Sequence, residues 1–142
     1  MLTNAGEYVS AQPLPVIRDG ALAWISGDDL RGMIIGAKDA TPTCCIIERS
    51  SSSPQQGVSS AFNYGVGFGS LLGACGVLSI PLHLVSPAKW KRDLGLSSDK
   101  NASLDKARLL FPAAPLSRNK DDGIAEALLI AWWFATKGPG RA

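Results

Sequence analysis

Glu48, Asp121, Asp122 and Glu126 are the residues of this chain whose type and spacing point most directly to chemistry. Glu48 closes the apolar run Cys44-Cys45-Ile46-Ile47, which reads as a buried strand with an acid at its C-terminal end. Asp122 and Glu126 stand four residues apart at the start of an apolar helical stretch, so they share one face. Carboxylates gathered at the edge of a core repel one another. A hard divalent cation such as Mg²⁺, which prefers oxygen ligands, relieves that repulsion. In phosphodiester cleavage, two such ions about 3.5–4 Å apart activate water and stabilise the leaving oxygen. A plainer reading stands beside this one. Asp121, Asp122 and Glu126 are also what a helix dipole favours in a first turn, and Glu48 is equally a solvated strand end.

The elements that must position these acids follow from pattern. Residues 7–17 read as extended, with Pro13 and Pro15 marking an edge or a strand exit. Residues 21–25 read as a short strand, and Ser26 or Asp28 caps a helix to about residue 37. Residues 43–49 are the clearest strand. The polar stretch 50–57 is a loop too short to separate domains. A helix is expected over 59–77, a strand over 82–85, short helices over 87–94 and 103–111, and a last helix over 120–135. Strands first, then strands alternating with helices, predict a mixed α/β sheet covered by helices in one domain, residues 1–142.

Composition narrows the class. The chain has 142 residues, 46% hydrophobic and 18% charged, which suits a globular domain with one core. The net charge of +2 does not by itself point to nucleic acid. Eight of the fourteen Lys and Arg residues nevertheless fall between Lys89 and Lys120, so a local basic surface is one reading and a solvated face the other. The three cysteines match no zinc spacing and suit a reducing, cytoplasmic setting. Residues 64–82 carry no charge but hold five glycines and a proline, which fits a buried helix and strand better than a membrane span. The N-terminus has no signal-peptide pattern.

Other residues admit two readings each. Gln55, Gln56, Ser59, Ser60 and Asn63 are hydrogen bonders grouped at a helix start, which serves capping or contact with DNA phosphates and bases. Lys89, Lys91, Arg92, Lys100, Arg118 and Lys120 are candidate phosphate contacts or solvated charges. Gly65, Gly69 and Gly73 recur every four residues and make a smooth helix face rather than a phosphate loop. His83 is the only histidine, which leaves Ser-His-Asp or Cys-His catalysis without support. Trp132, Trp133 and Phe134 read as packing for the last helix.

Four segments carry a resemblance. They are Ile46-Ile47-Glu48-Arg49, Pro54-Gln55-Gln56-Gly57-Val58-Ser59-Ser60-Ala61-Phe62-Asn63-Tyr64-Gly65, Val85-Ser86-Pro87-Ala88-Lys89-Trp90-Lys91, and Lys120-Asp121-Asp122-Gly123-Ile124-Ala125-Glu126-Ala127-Leu128-Leu129-Ile130-Ala131. In this order the chain resembles the phage-type RuvC-like Holliday junction resolvases, over about residues 7–134. The resemblance implies an RNase H-like fold and a metal-dependent endonuclease that cuts branched DNA. It implies Glu48, Asp122 and Glu126 as catalytic metal ligands for Mg²⁺, with Mn²⁺ as a substitute. Gln56, Ser59, Ser60, Asn63, Lys89, Lys91, Arg92 and Lys120 become DNA contacts, with Lys120 steadying the scissile phosphate and Phe62 as a wedge. It also implies a homodimer, since a junction presents two symmetric strands.

The chain departs from the family at its start. Members open with a strand that carries a metal-binding aspartate and a Gly-rich turn. Here Leu2-Thr3-Asn4-Ala5-Gly6-Glu7-Tyr8-Val9 resembles only the end of that strand, its turn and the next strand. Without the first strand, neighbouring strand edges are expected to lack partners, and cleavage by the chain as it stands is expected to be weak or absent. A misassigned start, a fragment and an inactive descendant are the three accounts. A DNA-binding or assembly protein of the same fold that does not cut is therefore the second functional reading. An unrelated α/β domain is the third.

Overall fold

The computed structural model describes residues 1–35, 44–49, 51, 55–97 and 99–139. Its elements run β1 (Val16–Asp19), β2 (Leu22–Ile25), α1 (Gly27–Ile35), β3 (Cys45–Glu48), α2 (Val58–Val77), β4 (Leu82–Val85), α3 (Pro87–Asp93), α4 (Lys100–Leu110), a 3₁₀ turn (Asn119–Asp121) and α5 (Asp122–Lys137). The architecture is mixed α/β, with small sheets flanked by helices. Among the described residues the strands form two two-stranded sheets, β1–β2 and β3–β4. The chain divides into two compact units, Leu14–Leu84 and Met1–Pro13 with Val85–Ala142.

In the unit Leu14–Leu84, β1 and β2 pair antiparallel from Val16↔Ile25 to Asp19↔Leu22. Pro15 stands at the end of the ladder, where its carbonyl accepts from Ser26 N at 2.7 Å and its missing N–H leaves nothing to donate. Gly20 turns the hairpin with φ at 55°, a left-handed conformation that an L side chain adopts only with strain. Ser26 caps α1, its hydroxyl accepting from Asp29 N at 3.4 Å. The expected end of this helix near residue 37 lies outside the described residues, as do residues 50 and 52–54 of the expected loop. Helix α2 packs on β2 and α1. The β3–β4 pair begins where Cys45 N donates to Pro81 O at 2.8 Å.

The other unit is built around α5. Its core contains Trp90 of α3, Leu104 and Ala107 of α4, and Ala125, Leu128, Leu129, Ile130 and Trp133 of α5, all buried. That set repeats at three- and four-residue intervals along α5, so one apolar face meets α3 and α4. Asp99 starts α4 three residues ahead of the sequence expectation, because its carboxylate accepts from Asn101 N at 2.9 Å. Near the N-terminus, Leu2 bridges Tyr8 across the expected turn. Gly6 holds φ at 84°, and a Cβ there would meet Trp132 Cδ1 at 3.2 Å. Among the described residues, no helix is long and apolar enough to cross a membrane.

Candidate functional site

The acid pair of the last helix is set in place by a local device. Arg118 N donates to Asp121 Oδ2 at 2.8 Å, and the Arg118 side chain donates to Oδ1 from Nε at 3.0 Å and from Nη2 at 2.8 Å. This box closes the 3₁₀ turn and launches α5 at Asp122. Asp121 is 3% exposed, and its hydrogen bonds from the Arg118 side chain and backbone hold its carboxyl below the usual aspartate range. Asp121 thus points into a structural contact, while Asp122 and Glu126 follow on α5, both half-buried and one turn apart.

The segment Ser86-Pro87-Ala88-Lys89-Trp90-Lys91 supplies the cation that meets Glu126. Pro87 opens α3, where its missing N–H costs nothing. Trp90 is fully buried and fixes the helix. Lys91 is therefore carried to a defined place, with its Nζ 2.7 Å from Glu126 Oε1 and 5.2 Å from the centre of the Trp90 ring. The neighbouring cations converge on Asp93. Lys89 Nζ lies 3.3 Å from Asp93 Oδ2 and Arg92 Nε 3.5 Å from Oδ1. Trp133 Nε1 donates to Asp93 Oδ2 at 3.0 Å, and that hydrogen bond, ahead of Lys89, holds the Asp93 carboxyl below its usual range. Lys120 is exposed on the 3₁₀ turn.

The remaining expected site residues lie in the other unit. Glu48 is the last residue of β3 and half-buried. Gln56, Ser59 and Ser60 gather at the start of α2, with Gln56 Nε2 donating to Ser60 Oγ at 3.3 Å and both serines exposed. Asn63 is placed otherwise. Its Nδ2 donates to Ala21 O at 2.7 Å and its Oδ1 accepts from Ala23 N at 3.2 Å, which ties α2 to the hairpin. Beside it, α2 and the hairpin enclose an open groove of about 570 Å³ lined by Arg18, Ser60 and Tyr64 among others.

The donor chemistry suits a hard cation. Asp122 and Glu126 offer only oxygen, and one of them already holds a cation, the Lys91 ammonium. Within either unit, among the described residues, no group of three or more His, Cys, Asp or Glu side chains gathers as a metal site. The structural role of Asp121 had a readable signal in the Arg-x-x-Asp spacing ahead of a helix. Asp93 had none, because its tryptophan partner lies forty residues away.

Comparison with solved structures gives the fold a precedent. The chain is similar to T. thermophilus RuvC in complex with Holliday junction substrate, at 17% sequence identity and a TM-score of 0.53, over 87% of each chain. The likeness establishes an RNase H-like fold of the RuvC kind. No protein-family model and no curated protein sequence matches the chain.

Proposed function

We propose that this chain is a RuvC-like, metal-dependent endonuclease of the phage type acting on branched DNA. The observation that carries the reading is the fold likeness across 87% of the chain to a RuvC whose structure holds a Holliday junction. The four ordered sequence segments support it, because in the family they resemble the acids matching Glu48, Asp122 and Glu126 hold the metal. Asp122 and Glu126 would hold Mg²⁺ or Mn²⁺ from α5. Glu48 joins them in this proposal on its strand position and the resemblance. The bound ion would supply a water of lowered pKa and charge stabilisation at the leaving oxygen.

The chain's own groups do the rest. Ser59 and Ser60, exposed at the start of α2, present hydroxyls and the positive end of a helix dipole to phosphate oxygens. Lys120, beside Asp121 and Asp122, adds charge at the same end of α5 as the acids. A homodimer would match the two-fold character of a four-way junction. The three free thiols suit a reducing cytoplasm.

One observation favours a second reading. Glu126 is already neutralised by Lys91, so the chain also fits a protein of this fold that binds branched DNA without cutting it. A labelled four-way junction, incubated with the protein in Mg²⁺ or Mn²⁺ and shifted on gels in Ca²⁺, separates the two. Cleavage that Glu48→Gln, Asp122→Asn and Glu126→Gln each abolish, with binding retained, supports the endonuclease. Junction-selective binding with no cleavage supports the binding protein. Equal affinity for junction and linear duplex overturns both.

A further inference from the structure

We infer that the groove between α2 and the β1–β2 hairpin takes one unpaired nucleotide of a DNA strand, with its base on Tyr64 and its phosphate on Arg18. The inference deepens the proposed function and rests on it for the identity of the ligand. Register sets the two walls. Val16 and Arg18 reach the groove from β1, and their cross-strand partners Ile25 and Ala23 reach it from β2, because opposed residues of an antiparallel pair share a face. Ser60, Tyr64 and Gly67 meet them from α2 at helical spacing. Asn63, on the same helix face, fixes that wall by its two hydrogen bonds to the hairpin.

Charge and shape choose the occupant. Arg18 is exposed and has no ion pair among the described residues, and none of the described acids lines the groove. Helix α2 carries no charge from Val58 to Val77, and Ser60 stands in its first turn, where the helix dipole is positive. An anionic group therefore meets a cation and nothing that repels it. Beside that cation, Tyr64 is 56% exposed and Val16 49%, so an aromatic and an aliphatic surface lie open to solvent. A cation next to an aromatic ring is the pairing that single-strand binders use, with a backbone phosphate on the one and a stacked base on the other. Gly67 makes the room, since a Cβ there would meet nothing within 4 Å. The groove volume of about 570 Å³ falls in the range of about 300–1,000 Å³ that holds ligands of small-molecule size. A base inside a duplex is excluded, because its faces are covered by its stacked neighbours.

The test uses the full chain and a fluorescein-labelled oligothymidylate, with affinity read by fluorescence anisotropy across a salt series. Gly67→Leu fills the groove and should weaken binding ~5–50-fold, the scale of one lost base stack. Gly69→Leu, an exposed position of the same helix outside the groove, should bind as wild type does. Tyr64→Leu should weaken binding similarly with an unchanged salt slope. Arg18→Gln should lower the slope of log affinity against log salt by about 0.7, the share of one single-strand phosphate. Irradiation of a bromodeoxyuridine-substituted strand should crosslink Tyr64, located by peptide mass spectrometry. Urea denaturation identifies any variant that fails to fold, and the folded variants and the wild-type crosslink decide. Strand binding indifferent to Gly67→Leu, or crosslinks that avoid Tyr64, overturns the groove assignment, and junction-selective gel shifts by the same proteins then leave the proposed function standing. Gly67-sensitive binding of thymidine monophosphate as tight as that of the strand, or of an acidic tyrosine-containing peptide in its place, overturns the strand as occupant. Gly67-sensitive strand binding without any preference for a four-way junction supports the groove and overturns the junction reading alone.

Discussion

Arg118 encloses the carboxylate of Asp121 from both backbone and side chain, with three donors within 3.0 Å of its two oxygens. The relationship makes Asp121 an architectural acid. Its carboxyl is held below the ordinary aspartate value of about 3.9. A lowered folded-state pKa contributes stability that is fully present above the unfolded value and is lost as pH falls through the folded one. Asp121→Asn should therefore lower stability at neutral pH and flatten the loss of stability below about pH 4. Urea titrations of both proteins between acid and neutral pH check this. An unchanged acid limb in the variant would remove Arg118–Asp121 from the account.

Asn63 is predicted to matter for folding more than for DNA. Both atoms of its amide hold the hairpin backbone, at Ala21 and Ala23. Asn63→Ala should destabilise the protein by ~1–2 kcal/mol, the scale expected for one part-buried and one exposed hydrogen bond lost together. Ser59→Ala, which removes an exposed hydroxyl, should change stability little. Chemical denaturation measures both, and a neutral Asn63→Ala would count against the clamp.

Trp133 and Asp93 give a spectroscopic prediction. The Trp133 Nε1 hydrogen bond is the foremost reason the Asp93 carboxyl lies low. Trp133→Phe keeps a buried ring but loses the donor, so the Asp93 pKa should rise toward the ordinary range. Carboxyl-carbon NMR titration follows it, and an unmoved value would show that Lys89 and Arg92 set the shift instead.

Phosphate contacts should be unequal among the basic residues. Lys89 and Arg92 are engaged with Asp93, whereas Lys120 is exposed on the turn before α5. Lys120→Ala should weaken junction binding and reduce the slope of log affinity against log salt by about 1. Lys89→Ala should change that slope less. Gel shifts across a salt series in Ca²⁺ decide it, and a reversed order would refute the ranking.

Thiol reactivity offers a last prediction. Burial, with Cys75 beside it, pushes the Cys45 thiol up to about 12. The thiolate is the reactive form, so Cys45 should resist iodoacetamide at pH 8 in the folded protein and react readily in denaturant. Peptide mapping of alkylation times checks this, and rapid native labelling of Cys45 would contradict its packing.

The elements were largely legible because their signals are local. Ser26 capping α1, the strand ending at Glu48 and the helix carrying Asp122 and Glu126 all follow from windows of a few residues. Helix α4 begins at Lys100 rather than 103 because the Asp99 cap outweighs the weak apolar pattern behind it. The extended stretch over 7–17 narrowed to an isolated bridge at Tyr8 and a strand from Val16, since Pro13 and Pro15 withhold the N–H groups that a longer ladder needs.

By itself the sequence determined the order of strands and helices, the apolar face of α5 and the spacing of its acids. Periodicity and capping act over one or two turns, so no partner need be known to read them. Tertiary structure alone decided which charges meet. Lys91 on Glu126, Trp133 on Asp93 and Asn63 on the hairpin join residues some 35 to 42 positions apart. A cation's partner depends on which helix faces pack together, and burial of Trp90 and the α5 core contributes more to fixing those faces than an ion pair does.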